Sequence, residues 1–230
     1  MSRQQLIRVQ RPARGRPSGL LVLHHGRGAD EHDLLGLGDA LDPDHRLSII
    51  CPRAPLAVPG WSGYHWYLVP RVGYPDPVSF AAARELLAQL HDEAWEQTGI
   101  GPERTVLGGF SMGAVMSYAL SLDGERPPPA GILALSGFIP QVEGWSPQFA
   151  SRTGLRAFIA HGRADGVIDV SFGRSASRQL TEAGLQVEYH ESAAGHHVDP
   201  AQLPAAIDWL AATLGPQAGR GPLAGAGPSD

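Results

Sequence analysis

A serine stands between two glycines in Gly109-Phe-Ser-Met-Gly113, the G-x-S-x-G pattern. An apolar run that includes Val106 and Leu107 precedes the pattern, and an apolar helical pattern begins at Ala114. In such a strand–turn–helix setting the glycines remove side chains that would collide with the neighbouring strand or helix, and the sharp turn exposes the serine hydroxyl. The pattern therefore predicts that Ser111 is a nucleophile. An ordinary glycine-rich turn is the alternative.

A serine hydroxyl attacks well only when a base lies within hydrogen-bond reach. In chains with this strand–turn–helix pattern the acid and then the base follow the serine. Asp165 comes just after a predicted strand and is the expected acid, with Asp169 as the alternative. His196 lies between the last predicted strand and the last helix, and is the expected base. His190 lies in or beside the strand, and His197 is expected to point elsewhere.

The glycine-rich turn His25-Gly-Arg-Gly-Ala-Asp30 follows an earlier predicted strand. Acyl transfer needs hydrogen-bond donors aimed at the oxyanion that develops on the substrate. We expect the backbone N–H groups of Arg27 and Met112 to supply them. The alternative is a phosphate-binding turn, but the chain has neither a lysine nor a G-x-G-x-x-G pattern to support it.

Three gaps in the composition exclude other mechanisms. The 18 basic residues are all arginine, asparagine is absent, and there is one cysteine. The lack of lysine excludes Schiff-base chemistry and a Ser-x-x-Lys acyl enzyme. The lack of asparagine excludes a Cys-His-Asn triad, and a single cysteine excludes an internal disulfide and a multi-cysteine zinc site. Ser-His-Asp chemistry needs none of these residues.

Two histidine pairs raise the question of a metal ion. His24 and His25 are neighbours on a predicted strand, so their side chains point to opposite faces and cannot chelate one ion. The zinc-binding pattern H-E-x-x-H does not occur. We therefore expect neither a metal nor a cofactor, and we interpret Cys51 as a small buried hydrophobe.

Short apolar runs alternate with helical patterns along the chain. They predict strands at 6–9, 19–24, 47–51, 104–110, 131–136, 155–160 and 185–189, and helices at 79–97, 111–122, 171–183 and 203–214. This alternation is typical of an α/β fold, with a mostly parallel sheet and helices on both faces. We expect one domain over residues 1–214, and a disordered Gly/Ala/Pro-rich tail over residues 215–230.

The net charge of −5 does not indicate a nucleic-acid binder. The longest apolar run, residues 19–23, has the length of a strand and cannot span a membrane. No apolar segment follows the N-terminal arginines, so we expect no signal peptide. These features favour a cytoplasmic protein, either a monomer or a homodimer, with no nucleic-acid partner.

Several segments together resemble the carboxylesterase/phospholipase family of α/β-hydrolases, which includes acyl-protein thioesterases and small bacterial carboxylesterases. They are His25–Asp30, Cys51–Pro55, Trp66-Tyr67, Gly109–Ala114, Leu135–Gly137, His161–Asp165 and Gly195-His196. The resemblance implies an α/β-hydrolase fold with a minimal lid. It also implies a triad of Ser111, Asp165 and His196. The family often has glutamine after the nucleophile, where this chain has Met112.

Together these patterns predict a serine carboxylesterase acting on a small ester through an acyl-enzyme. An acyl thioesterase or lysophospholipase would use the same residues, and a non-catalytic ligand-binding protein is the third possibility. The aromatic loop 52–77 contributes Trp66 and Tyr67 as candidate pocket residues, with Phe138 and Ile139 on the opposite wall. The alternative is that the loop buries its aromatic side chains against the body of the protein and forms no pocket.

Overall fold

Residues 5–215, the part of the chain that the computed structural model describes, form nine strands and five α-helices. The strands are β1 (Arg8–Arg11), β2 (Gly19–His24), β3 (Leu47–Pro52), β4 (Leu56–Ala57), β5 (Tyr64–His65), β6 (Thr105–Phe110), β7 (Gly131–Leu135), β8 (Arg156–Gly162) and β9 (Gln186–Ser192). The helices are α1 (Leu35–Leu41), α2 (Pro77–Thr98), α3 (Met112–Ser121), α4 (Val170–Glu182) and α5 (Leu203–Leu214).

Seven strands form one sheet in the order β1-β3-β2-β6-β7-β8-β9. β1 is antiparallel to β3, and every other pair in this sheet is parallel. Because parallel strands end on the same side, the segments that follow β2, β6, β7 and β8 all emerge at one edge of the sheet. The expected nucleophile, acid and oxyanion turn lie in these segments.

Alternate residues of the central strands point to opposite faces and join different helices. Leu20 and Val22 of β2 pack with Leu87 of α2 and with α3. Leu21 and Leu23 of the same strand pack with Leu210 of α5 and with α1. Both faces of the sheet are therefore covered, which explains why the strands are continuous apolar runs.

Helix α2 is bounded by local signals. The Asp76 carboxylate accepts a hydrogen bond of 2.9 Å from the Ser79 N–H, Pro77 occupies the first turn, and Gly99 closes the helix with φ 63°. These are the preferred residues at a helix start and end. The helix therefore begins two residues earlier and ends one residue later than the predicted 79–97.

One helix and one two-stranded hairpin are absent from the sequence prediction. Helix α1 contains two glycines and has no side-chain hydrogen bond at its start. It forms because Gly38 lets the helix approach β3, where an added Cβ would lie 2.8 Å from Ile49 Cδ1. The β4–β5 hairpin lies within the aromatic loop, and its strands have two residues each, too short for alternation to show. β1 lies at 8–11 rather than 6–9.

Within residues 5–215 no helix is long and apolar enough to cross a membrane. The predicted tail lies outside the described residues except for Gly215, which follows α5. The single-domain boundary at residue 214 stays a prediction.

Candidate active site

Ser111 occupies the turn between β6 and α3 with φ 55° and ψ −120°. A positive φ is rare for a residue with a side chain, and such strain concentrates at functional sites. The Ser111 N–H donates to the Leu135 carbonyl oxygen at 2.9 Å, which ties the turn to the neighbouring strand. The hydroxyl is thereby held at the carboxyl edge of the sheet.

The two glycines of the G-x-S-x-G pattern are required by close backbone approach. A Cβ on Gly113 would overlap the His24 carbonyl group, and a Cβ on Gly109 would lie 2.5 Å from the Gly113 carbonyl carbon. Helix α3 therefore begins directly against the end of β2. This contact brings the turn at Ser111 close to the turn that follows His24.

His196 lies between Ser111 and Asp165. Its Nε2 is 2.9 Å from Ser111 Oγ, and its Nδ1 is 2.7 Å from Asp165 Oδ2. An ionised carboxylate only accepts hydrogen bonds, so Nδ1 carries the proton and Nε2 is free to accept the serine proton. The Phe110 ring packs against the imidazole, with a centroid separation of 4.9 Å.

Asp165 is buried and holds several hydrogen bonds. Its Oδ1 accepts from the N–H groups of Val167 and Ile168 at 2.9 and 2.8 Å. Burial acts to raise the pKa of this carboxyl, but the hydrogen bonds from His196 and from the two N–H groups outweigh it, so the pKa lies below its usual value. Asp165 is therefore ionised at neutral pH.

The alternative residues have other contacts. Asp169 caps α4, where its carboxylate accepts from the Ser171 N–H at 2.9 Å. His190 lies in β9, 2.8 Å from Glu188. His197 is exposed next to His196. The structure brings Ser111, His196 and Asp165 together and leaves these three residues outside the cluster.

A fourth side chain, His161, supports the acid and was not singled out as a site residue from the sequence. It is buried at the end of β8, four residues before Asp165. Its Nε2 is 2.8 Å from the Ile168 carbonyl oxygen and 3.4 Å from Asp165 Oδ2. It thus holds the loop whose N–H groups bind Asp165. The sequence feature that could have pointed to His161 is its position at the start of the His161–Asp165 segment.

Two backbone N–H groups lie beside Ser111: that of Arg27 in the turn after β2 and that of Met112 at the start of α3. Within residues 5–215 neither the Arg27 N–H nor the Met112 N–H donates to another protein group. Both residues line the same cavity as Ser111. This arrangement leaves two donors available for an oxyanion.

The turn is joined to the hairpin segment on several sides. The Gly28 N–H donates to the Tyr64 carbonyl at 2.8 Å, and the Tyr64 N–H donates to the Ala29 carbonyl at 2.9 Å. Beneath it the Trp66 Nε1 donates to the His25 carbonyl at 2.9 Å. Burial lowers the pKa of His25, whose neutral ring accepts from the Ala54 N–H at 3.0 Å.

An ion pair between Glu31 and Arg53 adds to these contacts. Arg53 donates two hydrogen bonds to the carboxylate of Glu31, whose side chain is 3% exposed. The hydrogen bonds from Arg53 hold the pKa of Glu31 below its usual value. The guanidinium also lies 4.6 Å from the centroid of the Tyr64 ring. The oxyanion turn is therefore fixed to the hairpin by main-chain and charged contacts together.

A cavity of about 120 Å³ opens beside Ser111. Apart from Ser111, Arg27 and Met112, the residues that line it are Tyr67, Val69, Val72, Phe138, Val167 and Ile168. Two predicted pocket residues thus line it. The other two do not: Trp66 is fully buried beneath the turn, and Ile139 faces a separate cavity.

Asp30, Glu31 and His32 can offer three ligand atoms within 4.8 Å of one another, the spacing that a metal ion would need. Both Glu31 carboxylate oxygens already accept hydrogen bonds from Arg53.

The family model described as phospholipase/carboxylesterase matches residues 6–214. The chain belongs to this family. Its α/β-hydrolase fold, the resemblance seen in the sequence and its assignment as a hydrolase are thereby confirmed. Acyl-protein thioesterase 1 homolog 1 of Dictyostelium discoideum is 23% identical over 86% of this chain and 91% of its own.

A second sequence relative and a solved structure are also similar to this chain. Lysophospholipase-like protein 1 of Mus musculus is 27% identical over 87% of this chain and 89% of its own. The crystal structure of esterase PE8 superposes with a TM-score of 0.79 at 29% identity, covering 91% of this chain and 100% of the other. The names of these three proteins refer to thioester, lysolipid and ester chemistry, so membership of the family identifies the chain as a hydrolase and leaves its substrate open.

Proposed function

We propose that the protein is a carboxylesterase that cleaves carboxylic esters through a triad of Ser111, His196 and Asp165. The observation that carries the proposal is the position of His196, with one ring nitrogen 2.9 Å from the serine oxygen and the other 2.7 Å from an ionised carboxylate. The backbone N–H groups of Arg27 and Met112, which donate to no protein group within residues 5–215, and the apolar cavity beside Ser111 support it.

Acylation begins when Ser111 Oγ attacks the acyl carbon and its proton passes to His196 Nε2. Asp165 stabilises the imidazolium that forms, and the N–H groups of Arg27 and Met112 hold the oxyanion. The bond to the alcohol oxygen then breaks, and His196 returns the proton to that oxygen. The products of this half-reaction are the free alcohol and an ester between the acyl group and Ser111.

Deacylation repeats these steps with water. His196 takes a proton from a water molecule as the water oxygen attacks the acyl carbon, and the same two N–H groups hold the second oxyanion. The bond to Ser111 Oγ breaks, and the serine regains its proton from His196. The carboxylic acid leaves and the enzyme is restored.

Replacement of the serine tests this proposal. Ser111→Ala is expected to lower kcat on p-nitrophenyl butyrate by roughly 10⁶, because the nucleophile is lost. The matched control is Ser136→Ala, since Ser136 is also buried at this edge of the sheet and also has a positive φ, 51°. It is expected to stay within about twofold of the unmodified enzyme. Ester hydrolysis that survives in purified Ser111→Ala protein would overturn the assignment.

Thioesterase and lysophospholipase activity are the alternatives, because relatives carry those names. Parallel kcat/KM values on a p-nitrophenyl ester, an acyl thioester and a lysophospholipid separate them, and we expect the first to be largest. Labelling by a fluorophosphonate probe separates all three from a non-catalytic ligand-binding protein, which would not react.

A further inference from the structure

Phe138 stands between two cavities at the carboxyl edge of the sheet. One is the cavity of about 120 Å³ beside Ser111. The other, of about 150 Å³, is lined by Gly73, Tyr74, Phe138, Ile139, Phe172 and Gln179, among others. Of these residues Phe138 alone also lines the first cavity. Phe138 is therefore the residue that the walls of the two cavities share.

This wall is held in place by packing. The Phe138 side chain is 5% exposed, and its ring lies 5.3 Å, centroid to centroid, from that of Phe172 at the start of α4. Gly73 lies close to Phe172, since an added Cβ would be 3.1 Å from the ring. The Gln141 N–H donates to the Gly73 carbonyl at 3.0 Å, which joins the loops on either side. Packing therefore restricts the rotamers that the Phe138 side chain can adopt.

The first cavity lies on the acyl side of the reaction. In the proposed mechanism the leaving alcohol must reach His196, because that residue returns the proton to it. His196 does not line this cavity, whereas both oxyanion donors and Ser111 do. A substrate whose carbonyl oxygen meets the two N–H groups can therefore place its acyl chain among Tyr67, Val72 and Phe138.

The size of the cavity limits that chain. An apolar cavity of about 150 Å³ holds a benzene molecule, which has six carbons. The cavity beside Ser111 is slightly smaller, so an acyl group of about six carbons or fewer would fill it. A longer chain would meet the Phe138 ring.

We infer that Phe138, braced by Phe172, restricts this enzyme to esters of short acyl chains, and that removing its ring joins the two cavities and extends the preference to longer chains. The inference rests on the proposed function. It adds the substrate class and the residue that determines it.

The test measures kcat/KM on p-nitrophenyl acetate, butyrate, hexanoate, octanoate, decanoate and dodecanoate, with active sites counted by fluorophosphonate titration. The unmodified enzyme should be fastest at hexanoate or below. Each methylene that moves from water into an apolar cavity can raise kcat/KM about fourfold. Because packing in the joined cavity is imperfect, Phe138→Ala should raise the decanoate-to-butyrate ratio by at least about tenfold.

Two further variants make the result specific. Ile139→Ala enlarges the second cavity without opening the wall, because Ile139 does not line the first cavity. This variant should therefore leave the decanoate-to-butyrate ratio of kcat/KM unchanged. Phe138→Val is a milder change, and it is used if the alanine variant does not fold. A shift by Ile139→Ala equal to that of the Phe138 variants would overturn the role of the wall.

Other outcomes distinguish this inference from the proposed function. An unmodified enzyme that prefers decanoate to butyrate contradicts the short-chain restriction without any variant. A Phe138 variant with titratable active sites and an unchanged profile contradicts the role of the ring. If Ser111→Ala keeps the activity, or no ester in the series is hydrolysed, the proposed function itself fails.

Discussion

At the scale of single residues, the environment rather than the residue type separates Asp165 from Asp169. Both follow β8 and both have a lowered pKa. Asp165 is 6% exposed and bonds to His196, whereas the Asp169 carboxylate binds the N–H of Ser171 at the start of α4. Only the first carboxylate can orient the imidazole.

Asp165→Asn tests this difference. The amide keeps the shape but not the charge, and it favours the wrong tautomer of His196, so kcat for ester hydrolysis should fall about 10³- to 10⁴-fold. The control is Asp169→Asn, since asparagine caps a helix nearly as well as aspartate. It should change kcat less than about twofold. Equal losses in the two variants would place the acid elsewhere.

The sequence could locate these chemical residues because each follows a recognisable strand. Ser111 lies within a motif, Asp165 follows the predicted strand at 155–160, and His196 follows the last predicted strand, at 185–189. Trp66 could not be located in this way. Its aromatic character fits either a pocket wall or a buried support, and its hydrogen bond to the His25 carbonyl depends on a contact 41 residues away.

At the scale of elements, the oxyanion turn depends on the hairpin segment that packs against it. Glu31, the residue that directly follows the turn, and Arg53 after β3 form an ion pair in which the glutamate is almost fully buried. Losing one partner of a buried pair leaves the other charge uncompensated, which costs more than losing a surface pair. Neither β4 nor β5 was expected from the sequence, because two-residue strands give no periodic pattern.

Glu31→Gln is expected to lower the free energy of unfolding by about 2 kcal/mol, since Arg53 is partly exposed and can recover some hydration. It should also lower kcat about tenfold with little change in KM, because the Arg27 N–H loses its position. Urea denaturation and steady-state kinetics measure the two effects.

The matched control for this prediction is Glu93→Gln. Glu93 pairs with Arg8 at the surface, with 30% of its side chain exposed, so its loss should cost no more than about 0.5 kcal/mol. If Glu31→Gln destabilised the protein but left kcat intact, the ion pair would stabilise the fold without positioning the turn.

At the scale of the whole molecule, the alternation of strands and helices was sufficient to predict a parallel sheet with two covered faces. The strand order was not predictable from it, because the pairing of β2 with both β3 and β6 depends on packing between segments far apart in the chain. The same packing places two histidines, His24 of β2 and His91 of α2, inside the apolar layer beneath α3.

These two histidines form a short buried polar chain. His24 Nδ1 is 2.9 Å from Ser117 Oγ, and its Nε2 is 3.3 Å from His91 Nε2. Burial lowers the pKa of His24 to about 3. Burial, together with the positive charge of Arg126, also holds the pKa of His91 well below its usual value. Both rings are therefore neutral in the folded protein at pH values where the unfolded chain binds protons.

Acid should therefore weaken the fold before it protonates these rings. Between about pH 6.5 and pH 4 the unfolded state binds more protons at both positions, so the free energy of unfolding should fall with pH by up to about 1.4 kcal/mol per unit for each histidine. His91→Gln removes one of these groups and should flatten the slope by about that amount, as measured by urea denaturation at each pH. The control is the unmodified protein, measured by urea denaturation at the same pH values. A slope in His91→Gln equal to that of the unmodified protein would show that His91 takes up its proton in the folded protein as readily as in the unfolded chain.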